Sequence, residues 1–234
     1  LWVMRDLARR GQCLREALDL ARRLDDPALV TSSLSFLGEW YVNDDQPIVA
    51  RGCHQEALAL AAELGDRHTT AMVLHYMGHT DLKVGKQREG TSHMARAAAL
   101  FRETGNRQGY VVSLVYSTDR GPTYFSTVSP WIQVDLSELL QDGEEALRIA
   151  REIGWRAGEA FGNIQSSFSL GPRGEYARAL AAAQRGQAIA NDIGHGPLRI
   201  AALCALSSLH LDMLAPERAR ALIEGSRPLL QQLG

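Results

Sequence analysis

Apolar residues along this chain recur at helical spacing. They fall at Leu34, Leu37 and Tyr41, and then at Leu58, Leu60, Ala61 and Leu64, a mixture of three- and four-residue steps that puts side chains on one face of an α-helix. Asp26 followed by Pro27 predicts where the first of these helices starts, because aspartate accepts from the open amides of a first turn and proline fits only there. The polar stretch NDDQP separates the two patterns. Gly65 predicts the end of the second, where a left-handed residue closes a helix and glycine adopts that conformation at least cost. Runs of alternating β-branched residues are absent, so the expected class is all-α.

The same unit then repeats. EALDLARRLDD at Glu16 to Asp26 returns as EALALAAELGD at Glu56 to Asp66, an offset of 40 residues. Related phrases end at Asn106, Trp155 and Gly196, and the anchors Asp25, Gly65, Gly105, Gly154, Gly194 and Gly234 are spaced 40, 40, 49, 40 and 40. Such a period marks a repeat array. The sequence therefore predicts a single solenoid over 1–234. A leading B helix occupies 1–24, and five A/B helix pairs follow over 25–64, 65–104, 105–153, 154–193 and 194–234, the third with a nine-residue insertion. Within that insertion, either Ser129 and Pro130 begin a long B helix, the reading favoured here, or Asp135 with Glu138 forms a capping box after a loop. Tyr124, Phe125 and Trp131 are expected to fold back onto the solenoid, with contact to a partner as the alternative.

Position by position, Leu34, Leu37, Gly38, Tyr41, Ala50, His54 and Ala57 resemble the tetratricopeptide (TPR) pattern of large apolar, Leu, Gly, aromatic, Ala, aromatic, Ala. Leu74, Met77, Gly78, Asp81, Gly90, Met94 and Ala97 repeat it, as do Leu203, Leu206, Ser207, His210, Ala219, Ile223 and Ser226. Thr118 departs from it in the third unit, and Asn163, Ser166 and Ser167 do so in the fourth, which predicts looser packing there. The resemblance implies a right-handed superhelical solenoid of antiparallel helix pairs with a concave ligand groove. Units of this length are similar to kinesin light chain repeats and to the sensor arms of bacterial LuxR-type and other signalling ATPase regulators. No GxxxxGK[ST] phosphate loop occurs, so under that second likeness the switch would lie outside this chain. A first residue that is Leu1 is read here as the mark of a piece of a longer polypeptide.

Composition removes several functions. With 45% hydrophobic and 22% charged residues and a formal charge of −2, the chain offers no overall basic field, so neither nucleic acid nor an anionic membrane is an expected partner. No apolar run approaches the ~18 residues of a membrane span, and LWVMRDLARRG meets charge too early for a signal peptide. Cys13, Cys53 and Cys204 are odd in number and lack a CxxC pair, which points to a reducing cytoplasm, with Cys53 and Cys204 as packing residues.

His75 and His79 stand four residues apart and could share a helix face, yet a zinc protease needs glutamate directly after the first histidine, where Tyr76 stands. The packing pattern uses Leu74, Met77 and Gly78 and leaves both histidines over. The TPR resemblance places them, with their equivalents Ser35, Val115, Ile164 and Cys204 and Glu39, Asp119, Phe168 and Ser208, on the concave face. The expected groove comprises Phe36, Glu39, Met72, His75, Tyr76, His79, Tyr116, Asp119, Phe161, Gln165 and Phe168, with Glu39 and Asp119 flanking His79. Nucleophile elbows and glycine-rich phosphate cradles are missing, so no catalytic residue, cofactor or metal is expected. The function read from the sequence is a non-catalytic module that binds a peptide or protein in its groove. The alternative is the effector-sensing arm of a signalling ATPase or transcription regulator that binds a small-molecule inducer.

Overall fold

The computed structural model describes residues 7–117 and 136–233. The readings placed on Thr118, Asp119, Tyr124, Phe125, Ser129, Pro130, Trp131 and Asp135 lie outside the described residues. Eleven α-helices are described: α1 (Leu7–Arg23), α2 (Pro27–Asn43), α3 (Pro47–Glu63), α4 (Arg67–Lys83), α5 (Gln87–Glu103), α6 (Arg107–Ser117), α7 (Leu136–Glu152), α8 (Arg156–Leu170), α9 (Tyr176–Asp192), α10 (Gly196–Asp212) and α11 (Pro216–Leu233). One 3-10 turn, Gly171–Arg173, joins α8 to α9, and no strand occurs among the described residues. Consecutive helices pack on one another within two compact units, Leu1–Ser113 and Leu114–Gly234. The architecture is an all-α helical repeat solenoid.

The turn chemistry explains the boundaries. Asp26 Oδ1 accepts from the amides of Ala28 and Leu29, both at 3.0 Å, and Asp66 Oδ1 accepts from His68 at 2.9 Å and Thr69 at 3.0 Å. In the same place Asn106 Oδ1 caps Gly109 at 2.8 Å. Just before those caps the chain turns left-handed, at φ 63° in Gly65 and 52° in Asp25, which matches the expected closing residue. Leu64, expected on the buried side of α3, instead follows the helix end and is 42% exposed. A residue past the last turn no longer points along the packed face.

Small residues stand where the helices of a pair touch. A Cβ on Gly38 would lie 2.4 Å from Cε1 of His54, and one on Gly78 would lie 2.9 Å from the Gly90 carbonyl oxygen, so neither position admits a side chain without movement. Ala50, Ala57 and Ala97 are fully buried. In the second unit, polar residues replace the pattern; two of them find partners within it, while the buried hydroxyl of Ser207, at the glycine place of the last pair, has no hydrogen bond among the described residues. Ser167, at the glycine place, is buried and donates to the Ile164 carbonyl at 2.6 Å. Asn163, at a leucine place, donates from Nδ2 to the Glu159 carbonyl at 2.8 Å and accepts from Arg185 at 3.4 Å.

Candidate functional site

In the first unit, α2 and α4 carry the expected groove residues at matching places one repeat apart. Phe36 meets Tyr76 edge-on with centroids 6.0 Å apart, and His75 meets Tyr76 edge-on at 5.6 Å. On another side Tyr76 lies nearly parallel to His54 of α3, 10° between planes and 6.3 Å between centroids. Tyr76 is thus the hub of a ring cluster, and Phe36, Met72, His75, Tyr76 and His79 are all half-buried.

Glu39, expected in the groove beside His79, is 4% exposed. Its Oε2 faces His79 Nδ1 at 3.0 Å, and Asn43 Nδ2 donates to Oε1 at 3.3 Å. Lys83 Nζ in turn donates to Asn43 Oδ1 at 3.1 Å. Burial works to raise the Glu39 carboxyl, but the hydrogen bond and charge of His79, then Asn43 and Lys83, outweigh it and hold the group below the usual carboxylate range. Because a carboxylate only accepts, the His79 proton at this contact sits on Nδ1. The expected flanking of His79 is therefore present on the Glu39 side, while Asp119 lies outside the described residues.

The row of His75 is mixed: its equivalents Ser35, Val115 and Ile164 are buried, whereas Cys204, like His75 itself, is half-buried. Each neighbours the leucine place of the pattern, and Ser35, Val115 and Ile164 sink there between helices. His75 is longer and reaches Ser113 Oγ at 3.1 Å. Burial drives its pKa down to about 4, with His79 adding to the fall and Glu39 opposing it. His54 is also held near 4, by burial first, against Glu39 and with His79. Thr80 spends its hydroxyl proton on the Tyr76 carbonyl at 2.9 Å, so at 3.1 Å it accepts from His54 Nε2, and His54 Nδ1 is left buried without a hydrogen bond.

Sequence reasoning missed a second charged cluster. Asp81, 1% exposed, occupies a place where the repeat pattern asks for an aromatic. Its Oδ1 meets Arg51 of α3 at 3.2 Å and its Oδ2 meets His93 of α5 at 3.0 Å. The available signal was an acid at an apolar place, with Arg51 and His93 on the two B helices that flank α4.

In the second unit Tyr116 meets Phe161 edge-on at 5.2 Å, and Gln165 is half-buried. Phe168 packs against the core built on Ile164, Ala183 and Leu206, so much of its ring is already engaged. Among the described residues no group of three or more His, Cys, Asp or Glu is placed to hold a metal ion, and no helix is long and apolar enough to cross a membrane.

No known family profile matches the chain, and no curated protein matches it in sequence. Solved structures do match in fold. The chain is similar to BtubC (BKLC) from P. vanneervenii, with a TM-score of 0.70 at 16% identity over 97% of this chain and 92% of that one. It is similar to the TPR-like repeats of a putative kinesin light chain from Podosopora anserina, with a TM-score of 0.59 at 15% identity over 86% and 95%. The apo form of RapI gives 0.60 at 12% identity over 93% of this chain and 60% of that one. The fold is that of TPR-like repeat proteins.

Proposed function

We propose that the chain is a non-catalytic interaction module, and that the A-helix faces of its units receive a peptide or protein partner. The observation that carries this reading is the half-buried aromatic cluster of α2 and α4. Phe36 and Tyr76 stand at places that the repeat pattern does not reserve for packing, and their half-buried rings share a row with His79 and Lys83, although Phe36 also leans on the core of Leu34 and Leu37 and Met72 packs on the core of Ala71, Leu74, Ala97 and Phe101. Aromatic anchors on a preformed surface commonly supply a large share of binding energy. The Tyr116 and Phe161 pair offers a second surface of the same kind within the other unit.

The test begins with a partner identified by pull-down on the full chain, followed by calorimetry. Phe36→Ala and Tyr116→Ala should each weaken binding by about 1 kcal/mol or more. If both variants bind like the parent, while charge reversals on the outer faces of α1 or α3 abolish binding, the A-helix assignment is wrong.

A further inference from the structure

The outer face of α11 carries its charges in a regular order. Glu217, Arg220, Glu224 and Arg227 are all exposed and follow one another at steps of three, four and three residues, so they form one stripe on the side of the helix away from the buried Ala219, Ser226 and Leu229. Within the stripe Arg220 Nε donates to Glu224 Oε1 at 2.9 Å, and both side chains stay more than half exposed. Glu217 and Arg227 make no ion pair among the described residues. The order of the signs is acid, base, acid, base about a centre at Leu222. Turned end for end, the stripe reads base, acid, base, acid with the same spacings. Laid antiparallel on a second copy of itself, it therefore sets Glu217 against that copy's Arg227 and Arg220 against its Glu224, each contact made twice by the two-fold relation and no like charges opposed.

Charged pairs on an open surface contribute little alone, and an apolar contact has to hold the helices together. Ile223 supplies one. It is 54% exposed, whereas its equivalents Leu14, His54, Met94 and Ala183, counted in steps of 40 with nine more for the insertion, are at 7% or less. In the first unit that place is covered by the A helix of the following repeat, where His54 bonds Thr80 and stacks on Tyr76. On α11 the same place is open and holds a branched apolar side chain. Ile223 also lies one residue from the centre of the stripe, about 1.5 Å along the helix axis, so the isoleucines of two antiparallel copies meet at the two-fold. An apolar contact flanked by ordered charge pairs fixes both the partner and its direction.

We propose that α11 is the contact of a homodimer, in which a second copy of this chain packs antiparallel on it about a two-fold axis at Leu222, with Ile223 at the centre and the Glu217–Arg227 and Arg220–Glu224 pairs on either side. Sedimentation equilibrium of the full chain at low salt should show a reversible dimer whose dissociation constant rises with added sodium chloride. Arg220→Glu opposes like charges twice and should raise that constant about tenfold or more while leaving helicity by circular dichroism unchanged. Ile223→Asp should do the same. The decisive variant reverses all four signs, Glu217→Arg with Arg220→Glu, Glu224→Arg and Arg227→Glu. Its stripe is again complementary to itself, so it should dimerise as the parent does, yet energy transfer between labelled chains should show no mixed dimer with the parent. A monomer at every concentration, a dimer that Arg220→Glu leaves intact, or a fourfold reversal that stays monomeric would each overturn the proposal. Mixed dimers as abundant as the like-with-like ones would overturn it too, because the stripes would then not face each other.

Discussion

His54 shows how much of this molecule turns on single side chains. It is fully buried, its ring stacks on Tyr76, and it fills the space that Gly38 leaves open. Its pKa near 4 in the folded chain lies below the ordinary 6.5, so the unfolded chain binds the extra proton first as pH falls. The stability tied to it is complete above about 6.5 and is lost as pH drops towards 4, on the order of 3 kcal/mol at most. Denaturant melts at stepped pH should show that loss, and His54→Met, the residue that Met94 supplies one repeat later, should flatten the curve. Gly38→Ala should cost about 1 to 3 kcal/mol, since its methyl meets a ring that has no room to retreat. An unchanged midpoint would mean that the two helices separate easily. Gly38 and Asp26 were legible in the sequence because each answers a local rule. The burial of Glu39 was not, because it depends on His79 from the next repeat and no single helix pattern contains both.

At the scale of the helix, the boundaries were read well where a cap or a left-handed turn fixed them, and less well where tertiary packing decides. Leu214 is instructive. It takes φ 56° in the turn between α10 and α11, a place that Gly85 and Gly174 fill elsewhere, and it is 89% exposed. A leucine gains nothing there from burial and bears the steric cost of the left-handed region. Leu214→Gly should therefore raise stability by roughly 0.5 to 1 kcal/mol, measured as a higher urea midpoint with unchanged slope. A fall would mean that Leu214 makes a contact in solution. Pro228 lies inside α11, where it removes one amide from the helix ladder. Pro228→Ala should raise helicity by circular dichroism and raise the melting temperature; if neither moves, α11 frays before reaching it. The repeat pattern could not warn of either residue, because it constrains contact positions and is silent on turns and outer faces.

For the whole molecule, the period of 40 residues was the most informative feature of the sequence, and the helices follow it from α2 through α5 and again from α8 through α11. A repeat array gathers its stability from neighbour contacts, so removing α10 and α11 should leave a shorter helical chain that still melts cooperatively. Complete loss of helicity in that truncation would indicate that the second unit needs all its helices at once. Neighbour contacts differ in kind, however, and Asp81 shows why that matters. It is buried on α4 with Arg51 of α3 on one oxygen and His93 of α5 on the other, so one carboxylate fastens three consecutive helices. An array held only by apolar faces can peel from its end one repeat at a time, as a zipper does. A charge buried among three helices must be exposed or stay paired for all of them together, which ties the first repeats into one unit of opening. Asp81→Leu should uncouple them: amide hydrogens of α2 and α3 would exchange sooner than those of α5, where in the parent they exchange at one common rate.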